Sequence, residues 1–86
     1  MPLEKVITIE NPHGLHARPA SQFVQAAARF VSEVSIEKDG EKIDGRSIMG
    51  ILSLGLEFGS KIVLTVDGDD QEEALVELEK ILLNHE

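Results

Sequence analysis

The sequence predicts an α+β fold, an open-faced sandwich in which a mainly antiparallel sheet carries its helices on one face. Three observations predict it. Short runs rich in β-branched residues, LEKVITIE and SKIVLTVDG, alternate with stretches whose apolar residues recur at helical spacing. A hairpin signature, SIEKDGEKI, separates the first two helical stretches. Connections are short, and the elements read strand–helix–strand–strand–helix–strand–helix, or βαββαβα. With 86 residues, the chain is expected to form a single domain over 1–86.

Each element has its own warrant. The first strand is expected at about 3–9, ahead of the breakers Asn11 and Pro12. A helix follows over 17–30, with Ala20, Phe23, Val24 and Ala27 on one apolar face. Pro19 fits only its first turn, where a missing N–H costs no hydrogen bond. Val34 and Ile36 alternate with Ser35 and Glu37, Asp39-Gly40 makes the turn, and residues 41–43 return. RSIMGILSLG reads as a short helix capped by Ser47, with Ile48, Ile51 and Leu52 on its buried side and Gly55 at its end. Ile62, Leu64 and Val66 share one face of the next strand. The last helix, over 70–83, carries the stripe Ala74, Leu75, Leu78, Ile81 and Leu82. Asp69 and Asp70, each followed three residues on by a glutamate, offer two capping-box registers for its start.

Composition excludes several functions. There is no cysteine, which removes disulfide scaffolds, zinc ribbons and thiol chemistry and suits a reducing, cytoplasmic setting. No apolar run approaches the roughly 18–20 residues a bilayer-spanning helix needs, and MPLEKVITIE has no secretory-signal pattern. No membrane insertion is expected. A net charge of −8 repels nucleic acid, and with neither Trp nor Tyr there is little for bases to stack on. Proteins or small molecules are the expected partners. The charge is uneven: residues 1–32 carry three bases against two acids, and residues 33–86 carry five against fourteen.

The stretch NPHGLHARPAS, residues 11–21, lies in that less acidic segment and sets His16 and Arg18 at a helix start. There the first backbone N–H groups lack intrahelical partners, and the helix dipole places partial positive charge. An oxyanion is stabilised in such a place. A neutral imidazole is a nucleophile, and the positive helix end disfavours its protonated form. Once the ring accepts a phosphoryl group, the N–H groups and the Arg18 guanidinium can balance the charge on its oxygens. A phosphorus–nitrogen bond has high transfer potential, so the arrangement suits a carrier. No Walker loop or kinase catalytic loop is present, and the phosphoryl group would have to come from a protein partner. His13 and His16 could together suggest a metal, but they lie in a Pro/Gly loop with no third ligand nearby, and neither metal nor cofactor is expected.

At GLHARPAS the chain resembles the HPr family, the histidine-containing phosphocarriers of the bacterial phosphoenolpyruvate-dependent sugar phosphotransferase system (PTS). The resemblance continues through RSIMGILSLGLEFGSKIVLTVDGDD in the same order of elements. It implies four antiparallel strands covered by three helices. It implies that His16 is phosphorylated on Nδ1 by enzyme I, which draws on phosphoenolpyruvate, and passes the group to enzyme IIA proteins. The protein would thus be a transiently phosphorylated carrier rather than a turnover enzyme. Arg18 matches the active-centre arginine, and Pro19 and Ala20 complete the motif. Ser47 matches a regulatory serine modified by an ATP-dependent HPr kinase/phosphorylase, which links the family to carbon catabolite repression and a catabolite-control transcription factor.

The short helix has more apolar residues than it can bury. Its pattern gives Ile48, Ile51 and Leu52 to the core and leaves Met49 and Leu54 for an exposed patch. The candidate docking residues are Ala17, Ala20, Ile48, Met49, Leu52 and Leu54. One alternative reading is a mainly regulatory HPr relative acting through phosphorylated Ser47. Another is a small-molecule-binding α+β module, which would have no need of both His16 and Arg18 at a helix start. A monomer is the expected state for a carrier that shows one face to several partners.

Overall fold

The computed structural model describes residues 1–83. Seven elements follow in the expected order: β1 (Leu3–Thr8), α1 (Ala17–Ala27), β2 (Glu33–Lys38), β3 (Glu41–Asp44), α2 (Ile48–Ser53), β4 (Lys61–Asp67) and α3 (Gln71–Leu82). The strands form one sheet in the order β1-β4-β2-β3, with every pairing antiparallel. Four strands and three helices give the open-faced sandwich expected from the sequence.

Register decides which face is apolar. Ile7 lies opposite Ile62, Leu64 opposite Ile36, and Val66 opposite Val34, so alternate residues build one buried surface. α1 and α3 pack on each other and close the core, with Ala20, Phe23 and Ala27 from α1 and Ala74, Leu78 and Leu82 from α3 fully buried. The alanines let the helices approach, and Phe23 fills the space between. Burial of a side chain of that size contributes about 1.5–3 kcal/mol. On the other face Glu4, Thr8, Glu33 and Lys61 are exposed. Lys5 is exposed too, although its register puts it on the helix side opposite Leu64; its Nζ reaches the Glu79 carboxylate on α3 at 2.8 Å.

The hairpin turn is as the sequence requires: Asp39 and Gly40 have φ of 51° and 85°, the pair of positive angles of a type I′ turn. Three expectations need correction. β1 ends at Thr8, although Ile9 still exchanges backbone hydrogen bonds with the 59–60 segment, each 2.8 Å. α1 ends at Ala27, with Arg29 N–H turning to Ala26 O and Phe30 N–H to Ala27 O. The carbonyls of Phe30 and Ser32 are taken by Arg46 Nη2, at 3.2 and 2.6 Å. α3 starts without a capping box. Asp70 is its N-cap residue, but the carboxylate accepts from Val31 N–H (2.9 Å), Ser32 N–H (3.0 Å) and the Ser32 hydroxyl (2.5 Å). That hydroxyl first, and then the two N–H groups, hold the Asp70 carboxyl below the usual carboxylate range.

Candidate phosphoryl-transfer site

The β1–β4 pairing places the site. It carries the 9–16 loop against the 55–60 loop, where Ile9 N–H meets Ser60 O, Gly59 N–H meets Ile9 O, and Leu15 N–H meets Leu56 O at 3.0 Å. Leu15 is buried and anchors the chain one residue before His16. Gly14, at φ 71°, sits with its α-carbon against Leu56 O, which occupies the place a Cβ would take. Only glycine serves there. Asn11 tightens the turn, its Oδ1 accepting His13 N–H at 2.9 Å and its carbonyl accepting Gly14 N–H at 2.9 Å.

His16 is the N-cap residue of α1, extended at φ −87° and ψ −166°, and its side chain makes no capping hydrogen bond. The first intrahelical bond comes from Ala20 N–H to His16 O at 3.0 Å. The N–H groups of Ala17 and Arg18 therefore precede the helical ladder, and Pro19 has none to leave over. Pro19 and Ala20 are buried, while His16, Ala17 and Arg18 are exposed. Arg18 makes no hydrogen bond or ion pair among the described residues. The His13 ring stands edge-on to the His16 ring, with centroids 6.2 Å apart and planes at 73°. His13, His16 and Arg18 line one concavity. Among the described residues no group of three or more His, Cys, Asp or Glu is placed to hold a metal ion.

Ser47 caps α2, its Oγ accepting Gly50 N–H at 3.0 Å. α2 packs against α1 and β3, and its far end is held by Lys38 Nζ on the carbonyls of Leu54 and Gly55, each at 3.3 Å. The phase of α2 differs from the expected one. Ile51 is buried as expected, but Ile48 and Leu52 are 36% and 41% exposed, and Leu54 is buried at 7%. Met49 is exposed, as expected, at 74%. Leu54 is the C-cap residue, where the chain turns inward toward Leu56. Ala20 is fully buried and Leu54 nearly so; both belong to the core and offer little surface to a partner, in contrast to the expected docking role. Phe58, 66% exposed, was not anticipated. Its signal was faint: a large apolar residue in the LEFGS loop, beside a glycine.

The fold and site together define a small α+β protein whose exposed helix start carries an imidazole and a guanidinium that make no hydrogen bond among the described residues, beside N–H groups outside the helical ladder. The family described as the PTS HPr component phosphorylation site matches residues 3–84. The chain is 49% identical to the HPr-like protein Crh of Halalkalibacterium halodurans over 73 residues, 85% of this chain and 87% of the relative. It is 43% identical to the phosphocarrier protein HPr of Buchnera aphidicola over 76 residues, 88% and 89% of the two chains. The crystal structure of a phosphocarrier protein HPr from Bacillus anthracis superposes with a TM-score of 0.90 at 44% identity, covering 94% of this chain and 96% of that one. The chain belongs to the HPr phosphocarrier family. No helix among its described residues is long and apolar enough to cross a membrane.

Proposed function

We propose that this protein carries a phosphoryl group on Nδ1 of His16, received from enzyme I and delivered to enzyme IIA proteins in the cytoplasm. The observation that carries the reading is the exposed, hydrogen-bond-free imidazole at the N-cap of α1, with the Ala17 and Arg18 amides and the Arg18 guanidinium beside it. In the forward step the His16 nitrogen lone pair forms the new bond to phosphorus as the bond between phosphorus and the donor group on enzyme I breaks, that group keeping the bonding electron pair. The oxygens then face donors already in place, which need little rearrangement. The same donors are exposed to solvent and partners, so the group remains within reach of the next acceptor. Ala17 on α1 and Ile48, Met49 and Leu52 on α2 supply the docking face, and one face shown to several partners suits a monomer.

Incubation with enzyme I and radiolabelled phosphoenolpyruvate tests the reading. Wild-type protein is expected to take up one acid-labile phosphate, and His16→Ala to take up none while keeping its melting temperature. Undiminished incorporation in the variant would overturn the assignment.

A second reading concerns regulation at Ser47. It is favoured by the position of the hydroxyl at the start of α2 and by the relatives called Crh. Phosphate there adds about −1.5 to −2 charge at the positive end of a helix, which the fold tolerates. A kinase such as HPr kinase/phosphorylase would supply it, and a catabolite-control transcription factor is the expected reader. Negative charge next to the exposed Ile48 and Met49 opposes docking of a partner with an acidic surface. Ser47→Asp is therefore expected to slow phosphorylation of His16 several-fold, with salt weakening the effect. Unchanged rates in Ser47→Asp and in genuinely Ser47-phosphorylated protein would leave Ser47 as a helix cap alone.

A further inference from the structure

The chemistry assigned to His16 makes no use of His13, yet the structure fixes it beside the proposed acceptor. Its backbone is held on both sides: its own N–H is bonded to Asn11 Oδ1, the next N–H to Asn11 O, and Leu15 is buried two residues on. A side chain on such a turn projects from a set position rather than from a wandering loop. Its ring stands edge-on to His16, and the 6.2 Å between ring centres leaves room for a phosphoryl oxygen between them. Such an oxygen, bonded through phosphorus to one ring, lies within about 2.7–2.9 Å of a nitrogen of the other when a charge-assisted hydrogen bond forms. Both rings are exposed, so the space is accessible.

The charge around the pair favours an anion. Among the described residues, the side chains lining the concavity include His13, His16 and Arg18 and no carboxylate. Glu10, before the turn, and Glu57, in the opposing loop, are both exposed and neither lines it. An imidazole, neutral or protonated, always has an N–H to donate.

We propose that His13 is a second phosphoryl-binding residue, donating a ring N–H to an oxygen of the group carried on His16. The proposal rests on His16 being the acceptor. Arg18 approaches the oxygens from the helix and His13 from the loop, so the phosphoryl group is held between donors on two separate segments. His13 forms and breaks no bond to phosphorus. Its effect is to lengthen the life of the phosphorylated carrier and to favour the step that loads it.

The test compares wild type, His13→Phe, His13→Ala and His13→Gln, each loaded by enzyme I and phosphoenolpyruvate. Phenylalanine keeps the ring without a donor, alanine removes both, and glutamine restores an N–H. We expect the phosphorylated state to be lost about tenfold faster in the phenylalanine and alanine proteins. Glutamine should return the lifetime to within about threefold of wild type. Loading should show a lower kcat/KM in the donorless proteins with KM little changed, since the contact forms only with the transferred group. In wild type, exchange of the His13 ring N–H with solvent should slow on phosphorylation. Equal lifetimes in all four proteins would overturn the proposal while leaving His16 as acceptor. Phosphate found on His13 itself would overturn it too. Failure of wild type to label on His16 would instead remove the carrier reading on which it rests.

Discussion

At its N-terminal end α1 leaves an imidazole and the Arg18 guanidinium without hydrogen-bonded partners among the described residues, and the Ala17 and Arg18 amides outside the helical ladder. At its C-terminal end the chain turns into β2 through 28–32, and there charged side chains satisfy the backbone. Arg46 takes the carbonyls of Phe30 and Ser32, and Asp70 takes the N–H groups of Val31 and Ser32. An arginine lies at each end, Arg18 at the first and Arg46, reaching in from just ahead of α2, at the second. One is free to meet a ligand; the other already has its acceptors within the protein. Polar groups left open can serve chemistry, and those closed by internal partners serve stability. An arginine in a sequence does not say which it will be.

Exchanging the two arginines for alanine tests that division most severely. Arg18→Ala should slow transfer from enzyme I by about 10²–10³, the usual cost of removing one oxyanion-stabilising donor. Its melting temperature should stay at the wild-type value, since no internal hydrogen bond is lost. Arg46→Ala should do the reverse. It strips two carbonyls of a charged donor, one exposed and one part-buried, a loss of about 1 kcal/mol. In a domain of this size that lowers the melting temperature by about 4–8 °C. Transfer to His16 should remain within about twofold of wild type. Rapid-quench kinetics and thermal scans on both proteins decide the matter. A stability loss in the first or a hundredfold rate loss in the second would break the comparison.

The open end of α1 was legible in the sequence and the closed end was not, for a physical reason. His16, Arg18 and Pro19 sit within four residues, and a proline restricted to the first turn fixes where the helix begins. The Asp39-Gly40 turn was legible in the same local way. At the other end, Asp70 meets Val31 and Ser32 across 39 and 38 residues, and Arg46 meets Phe30 across 16. Local sequence contains no sign of such partners. The sequence offers both Asp69 and Asp70 as capping residues for α3; Asp70 holds the N-cap position, but its carboxylate goes to three donors of a neighbouring loop that local spacing does not reveal. The phase of α2 was hidden by excess. Ile48, Met49, Ile51, Leu52 and Leu54 put apolar residues around most of a six-residue helix, so spacing could not say which of them faced inward. The tertiary contacts chose Ile51 and Leu54.

The smallest expected effect sharpens the comparison at its closed end. The Asp70 carboxyl is held below its usual range because the Ser32 hydroxyl and the N–H groups of Val31 and Ser32 bond to the charged form. A carboxyl whose folded-state value is depressed contributes stability that is fully present above its unfolded value, near 4. That contribution is lost as pH falls through the lower, folded-state value. Asp70→Asn keeps the size of the side chain but removes the charge, and its amide turns a donor toward the N–H of Val31 or Ser32. The variant should be modestly less stable than wild type at pH 7 and at pH 5. The gap should narrow below about pH 4, as the wild-type carboxyl also becomes protonated. Because its partners are neutral donors rather than a distant charge, added salt should change the gap little. Urea midpoints for both proteins at pH 7, 5, 3 and 2 measure it, with phosphoryl transfer at pH 7 as the control expected to stay constant. A gap of the same size at every pH would mean that shape, and not the ionised carboxylate, ties the 28–32 turn to the start of α3.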